Sequence, residues 1–364
     1  LAVVAVLLAL GSGAAWSGSW ETVLVSLSSL ATATVFTELG WGGGDVTKVA
    51  GFAVTAVLVM GAGILGFDVI MRLQTLITLA TAALTVGFFV LTWDTVDWGS
   101  VSALESGSTQ AFIGALVFAA TGFGMGWVNT AADYSRYLPR AANSRGVFGW
   151  TTLGGAAAPL LLVLFGLLLV GSDGKLAEAM NSDPIGALTT LVPTWYLLPF
   201  AVVAVLGLVG GAVLDIYSSG LALLTLGVRV RRPVAAGIDG VIMAVGAVYL
   251  VFFADDFIVP FQGFLITVGV PIAAWCGVFV ADLVLRRRAY ADADLYTAGG
   301  RYRAFQWPAV LSMVTGTVLG WGLVVNVLGA DGLGWLGYLL GPLGLGGRDG
   351  ARLLPGNGPC PDRR

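Results

Sequence analysis

Residues 194–226 read TWYLLPFAVVAVLGLVGGAVLDIYSSGLALLTL, an apolar run whose one charged residue is Asp215, near its middle. Such a run is long enough to cross a ~30 Å hydrocarbon core as a helix. Outward from it, further apolar runs fall near residues 17–38, 49–67, 72–93, 110–132, 147–171, 235–254, 257–286 and 307–329, with another apolar piece at 1–15. The composition agrees: of 364 residues 57% are hydrophobic and 11% charged, and the mean hydropathy is +0.90. A soluble domain carries roughly 25% charged residues, so this chain lacks the polar groups to cover a globule of its size. In lipid each backbone group must be satisfied within its own segment, so the runs predict an all-α polytopic membrane protein of about nine to ten spans.

The same composition excludes much chemistry. There is no histidine, which removes Ser-His-Asp catalysis, His-ligated zinc and a histidine pH switch. Cys276 and Cys360 form neither a disulfide framework nor a metal site. A net charge of −3 gives no basic face for nucleic acid. No HExxH, GxSxG or P-loop pattern occurs, so no enzyme is expected. The chain begins at Leu1 inside an apolar run and reads as a fragment. Residues 341–364, Gly/Pro-rich and charged, read as a disordered tail.

Basic residues set the orientation. Arg72, then Arg136, Arg140 and Arg145, then Arg229, Arg231 and Arg232, then Arg286, Arg287, Arg288, Arg301 and Arg303 occupy alternate connections, which are therefore cytoplasmic. The intervening connections carry Glu38, Asp45, Asp94, Asp97, Glu105, Asp173, Glu178, Asp183, Asp255 and Asp256, opposed only by Lys48 and Lys175. Those face outside, and residue 1 falls on the cytoplasmic side.

An ionisable group inside a span costs about 2.5–3.5 kcal/mol on insertion scales and so faces a cavity or a partner. Glu21, directly after Trp20, and Asp215 qualify. Each can bind a proton, accept a hydrogen bond from a substrate N–H, or lock helices together. Asp68, Asp133, Asp239 and Asp282 lie at span ends instead. Asp133 and Arg136 have the i, i+3 spacing of a surface ion pair; a cytoplasmic gate and simple snorkelling both fit them. Thr121-Gly-Phe-Gly-Met-Gly-Trp127 places three alternating glycines within a span, each lowering helix propensity by ~1 kcal/mol against Ala. This predicts either a helix broken at membrane depth, exposing backbone groups to a solute, or close packing through Gly122 and Gly126. Trp93, Trp98, Trp195 and Trp335 fit an interfacial belt. Trp20 and Trp127 fall at or near mid-span, where an indole serves as core or as a platform for a flat ring. Asn129, Ser218, Ser219, Gln262 and Thr267 add uncharged donors and acceptors.

The stretch Gly126-Trp-Val-Asn-Thr-Ala-Ala-Asp-Tyr-Ser-Arg-Tyr-Leu-Pro139 resembles the signature of the nucleobase-cation symporter-1 family, the purine/cytosine permease type. Asp215-Ile-Tyr-Ser-Ser-Gly-Leu-Ala-Leu-Leu-Thr225, Ala274-Trp-Cys-Gly-Val-Phe-Val-Ala-Asp282 and the segment 290–307 (YADADLYTAGGRYRAFQW) extend the likeness in the expected order. The resemblance implies an inverted-repeat bundle of the amino-acid/neurotransmitter transporter type. The permease domain would span 1–340, with an incomplete first repeat at about 1–93, a second at about 110–288 and an extra helix at about 307–329. The first full span then resembles the family's helix 3, and its helices 1, 2 and 12 are absent from this chain.

By the same likeness a flat base is sandwiched between Trp20 and Trp127, and Glu21, Asn129 and Asp215 supply edge hydrogen bonds. Asp133, Arg136 and Asp215 are the candidates for gating and coupling. Where some members carry an amide one turn after the helix 3 tryptophan, this chain has Leu24. Where sodium-coupled members carry hydroxyls on helix 8, it has Gly210-Gly211, which favours H+ over Na+ as the coupling ion. The implied function is secondary active uptake of a nucleobase or related N-heterocycle (cytosine, purine, uracil, allantoin or hydantoin) by cation symport with alternating access. The protein would be multi-pass in the plasma (inner) membrane, need no cofactor and contact lipid and a small molecule but no nucleic acid. The alternatives are an inactive transporter fragment or a carrier of another solute. A channel would want charge rings or carbonyl filters, and an intramembrane enzyme would want paired catalytic carboxylates.

Overall fold

The computed structural model describes residues 13–128, 130–139, 141–225, 229–253, 258–286, 290–295, 297, 300–302, 306–324 and 334–344. Among them every regular element is helical, so the protein is an all-α polytopic membrane protein. Six helices among the described residues are long and apolar enough to cross a membrane: Asp45–Leu65, Phe67–Thr95, Ser144–Ser172, Thr194–Thr225, Arg232–Phe252 and Leu265–Leu285. The described residues divide into two compact units, one within Ser12–Ile258 and one from Val259 onward.

Within Ser12–Ile258 the first helix, α1 (Gly13–Glu38), is not among those six. Glu21 and its many Ser and Thr residues lower its hydropathy, and the structure shows why a bilayer tolerates them. α1 packs against α2 (Asp45–Leu65), α11 (Thr194–Thr225) and α12 (Arg232–Phe252), and Glu21, Val23, Val25, Ser26, Ser28, Ser29, Ala31 and Val35 are all buried. Several of its hydroxyls are satisfied within the bundle. Ser26 donates to the Thr22 carbonyl at 2.7 Å and Thr32 to that of Ser28 at 2.8 Å, while Ser29 donates to the Lys48 carbonyl at 2.6 Å and Ser28 pairs with Thr55 at 2.8 Å. The last two bonds fasten α1 to α2.

Close crossings depend on small residues, as expected where lipid offers helices no hydrophobic drive to associate. A Cβ on Gly63 of α2 would meet Ile216 of α11 at 2.7 Å, and one on Gly211 would meet Leu24 of α1 at 2.8 Å. Around these crossings Val25, Val59, Ile70, Val213, Ile216 and Met243 form one apolar core. A second core joins Val35 to Phe88 of α3 (Phe67–Thr92), Phe165 of α8 (Ser144–Ser172) and Phe200 of α11. Elsewhere α8 leaves Leu160, Leu161, Leu164 and Leu167 exposed, a face suited to acyl chains.

The acids of the expected outer connections serve as helix caps. Asp97 opens α4 (Trp98–Ala103), accepting from the Ser100 hydroxyl at 2.6 Å and the Gly99 N–H at 2.9 Å; these bonds hold its carboxyl below the usual carboxylate range. Asp173 opens α9 (Gly174–Ser182), and Asp183 opens α10 (Pro184–Thr189) while accepting from Thr34 of α1 at 3.0 Å.

The expected span at 110–132 is interrupted. α5 (Thr109–Ala120) passes into a π turn at Thr121–Met125 and then into α6 (Gly126–Val128), before α7 (Ala131–Ser135). The glycines at 122, 124 and 126 are the cause, since their weak helix propensity lets the turn widen.

In the second unit α13 (Ile258–Leu285), with Pro271 inside it, precedes α14 (Asp292–Leu295) and α15 (Trp307–Leu323). Gly320 of α15 faces Val270 of α13. Asp282 accepts two bonds from Arg286, at 2.7 and 3.0 Å, and a third from the Tyr290 hydroxyl. The apolar piece at 1–12 and the tail from 345 onward lie outside the described residues.

Candidate functional site

Asp215 rides on α11 without interrupting it. Ala212, Val213 and Ile216 are fully buried beside it, and Gly210 lends its carbonyl to the Gln74 side chain of α3. The Gly210-Gly211 pair therefore has a packing role here, bringing α11 close to α3 and α1. That crossing turns Asp215 inward, where it is 3% exposed, on the helix that packs against the one bearing the fully buried Glu21. Both Glu21 oxygens and Asp215 Oδ2 are buried and have no hydrogen-bond partner among the described residues. An unpaired polar group in an apolar interior is expensive, so these three acceptor atoms mark a place for a donor.

A third carboxyl joins them. Sequence reading puts Asp239 at a span end; this is corrected by the structure, in which α12 begins at Arg232 and carries Asp239 two turns inside, 4% exposed. One turn beyond Asp215, the Ser219 hydroxyl donates to Asp239. Glu21 on α1, Asp215 on α11 and Asp239 on α12 are all buried, and the three helices pack against one another. Three helices thus bring three acids together.

The aromatic candidates sit on neighbouring elements. Trp20 immediately precedes Glu21 on α1, and Trp127 immediately follows the π turn, on an element that packs against α1; both are half-buried. The Trp127 ring lies 6.3 Å from that of Tyr134. Asn129 and the Gln262 side chain lie outside the described residues. Thr267 spends its hydroxyl on the Gly263 carbonyl of its own helix.

Arg136 makes a different contact from the expected one. The ion pairs among the described residues are Asp45–Lys48 and Asp282–Arg286, so Asp133 and Arg136 do not pair. α7 ends at Ser135, which frees Arg136 to reach α11. There its guanidinium donates to the Tyr217 hydroxyl at 3.1 Å and the Tyr137 hydroxyl at 2.9 Å, and these two hydroxyls bond each other at 2.7 Å. Phe67 stacks on Tyr137 at 3.8 Å. Arg232 lies over the Tyr217 ring at 5.0 Å and donates to the Gly63 carbonyl at 3.0 Å. Tyr134 donates to the Leu214 carbonyl at 2.7 Å. This knot of Phe67, Tyr134, Tyr137 and Tyr217 under two arginines stands two residues from Asp215. Sequence reasoning missed it, because tyrosines near the end of an apolar run look like an interfacial belt.

The arrangement has unpaired buried acceptors, an indole just after a widened helix turn and a hydrogen-bonded aromatic knot. Comparison with known proteins agrees with a solute carrier. Residues 1–341 match the family model described as permease for cytosine/purines, uracil, thiamine, allantoin. No curated protein and no solved structure matches the chain. With nearly the whole sequence inside that match, the chain belongs to the permease family for cytosine/purines, uracil, thiamine and allantoin, the nucleobase-cation symporter family that the segment 126–139 resembles.

Proposed function

We propose that this permease imports a flat N-heterocycle by cation symport, with the solute held between Trp20 and Trp127 and its N–H groups donated to Glu21 and Asp215. The observation that carries the reading is the set of three buried, unpartnered carboxylate oxygens on α1 and α11, next to the element bearing Trp127. A stacked ring with donors along one edge offers what these groups lack. The inverted repeats at about 1–93 and 110–288, the extra helix at about 307–329 and the plasma membrane as location belong to the same proposal. So does alternating access: rocking of one helical group against another around a midplane site, with the Tyr217–Tyr137–Arg136 knot as the cytoplasmic closure.

The test is uptake into proteoliposomes of radiolabelled cytosine, adenine, hypoxanthine, uracil, allantoin and hydantoin, under imposed proton or sodium gradients. Saturable uptake of one of them is expected, abolished or strongly reduced in Trp127→Ala and Asp215→Asn. Uptake that survives both substitutions unchanged would remove these residues from the site. Uptake of none under either gradient would leave the fold and discard the cargo.

A further inference from the structure

The two arginines of the aromatic knot carry positive charge that no acid among the described residues answers. Arg136 makes both of its bonds, to the Tyr137 and Tyr217 hydroxyls, from Nη2, which leaves Nε and Nη1 for another acceptor. Arg232, the first residue of α12, spends its Nη2 on the Gly63 and Ile64 carbonyls at 3.0 and 3.3 Å. These belong to the last turn of α2, whose carbonyls have no partner within their own helix. The Nη1 of Arg232 is buried and has no hydrogen-bond partner among the described residues. A charged N–H withdrawn from water without an acceptor is costly. The ion pairs among the described residues lie elsewhere, at Asp45–Lys48 and Asp282–Arg286. Asp133, three residues before Arg136, and the exposed Asp68, next to Phe67, therefore neutralise neither arginine.

Both guanidiniums meet at one phenol. That of Arg136 bonds the Tyr217 hydroxyl at 3.1 Å, and that of Arg232 lies 5.0 Å from the centre of the same ring. Their charges also act together on a neighbour: the Tyr137 hydroxyl, in the connection beyond α7, is held below the usual phenol range by its bond with Tyr217, by the bond from Arg136 and by the charges of Arg136 and Arg232. We propose that Arg136 and Arg232 form a binding site for a phosphoryl oxyanion, supplied by a phospholipid headgroup or by soluble phosphate. The guanidinium fork presents paired N–H groups that match phosphoryl oxygens, and the unpartnered Nη1 of Arg232 is a donor that one such oxygen satisfies. Snorkelling does not account for this arginine, since a snorkelling side chain carries its charge to water, whereas Arg232 turns its Nη1 away from it. Both arginines belong to the basic connections expected on the cytoplasmic side, the leaflet rich in anionic headgroups. An anion held there links the segment after α7 to the start of α12 and, through the Gly63 and Ile64 carbonyls, to the end of α2. The site takes no group from the carboxylate cluster and does not depend on the solute carried.

The experiment measures the thermal midpoint of the purified full chain in detergent and needs no transport. Two probes are used: inorganic phosphate against chloride at matched ionic strength, and phosphatidylglycerol against a neutral galactolipid. A ligand that binds the folded state raises the midpoint with its concentration. Such a rise is expected with at least one probe, lost in Arg136→Gln and in Arg232→Gln. It should persist in Arg145→Gln, an exposed arginine in the first turn of α8 that shares no bond with the knot among the described residues. A rise with phosphate identifies a soluble anion, and a rise with phosphatidylglycerol alone identifies a lipid headgroup. Phosphate also stabilises proteins by exclusion from their surface, so a rise that survives both Arg136→Gln and Arg232→Gln overturns the proposal. No rise with either probe overturns it as well, and so does an equal loss in Arg145→Gln, which would reduce the effect to surface charge. Because Arg232 also ties down the end of α2, Arg232→Gln can lose the fold; the exposed Arg136 then decides alone.

Discussion

Tyr217 concentrates five interactions in one side chain: the bond from Arg136, the bond with Tyr137, the cation over its ring and the ring contacts with Tyr134 at 5.7 Å and Phe67 at 6.1 Å. Tyr217→Phe removes the first two and keeps the ring. Each lost hydrogen bond is worth about 0.5–1.5 kcal/mol, so a modest fall in thermal midpoint is expected. A faster leak of preloaded substrate from proteoliposomes should accompany it; an unchanged leak would show that the knot packs the bundle without closing it. Glu21 and Asp215 were legible in the sequence because a charge within an apolar run is rare and costly. Asp239 was not, since Arg229, Arg231 and Arg232 shortly before it make it look like part of a polar loop. Only the helix start at Arg232 reveals that it lies two turns inside.

At the level of elements, the contact of α2 with α11 is set by Gly63 against Ile216, which is fully buried and, being β-branched, stiff about χ1. Gly63→Ala should destabilise by about 1–3 kcal/mol through overpacking, seen as a lower thermal midpoint in detergent. Adding Ile216→Ala should recover part of that loss if the contact is the cause, and nothing if the glycine matters for another reason. Since Ile216 adjoins Asp215, the same pair reports whether a helix crossing adjusts the site. The interruption of the span at 110–132 was legible from its three glycines, although its form, a π turn, was not. Glycine spacing shows where a helix is weak, while neighbouring elements decide whether the turn tightens or widens.

For the molecule as a whole, the charge alternation makes a topological prediction. A cysteine placed at Lys175, in a background with Cys276 and Cys360 replaced by serine, should react with an impermeant thiol reagent added outside cells; one placed at Arg145 should react only after lysis. The converse pattern would invert the orientation. Arg136 and Arg232, from two separate arginine-rich connections, converge on Tyr217, as expected if both connections lie on one side of the bilayer. The fold class and most helix limits could be read from hydropathy. The centrality of α1 could not, because its Ser, Thr and Glu content lowers the signal that a span search follows. That centrality also bears on how the protein is made. α1 leaves the ribosome ahead of α11 and α12 with an acid that opposes partition into lipid by about 2.5–3.5 kcal/mol, yet these two of the helices that bury it begin only at Thr194 and Arg232. Until they are synthesised, α1 has to be sheltered by the insertion machinery or wait at the membrane surface, so its final packing follows the emergence of α11 and α12.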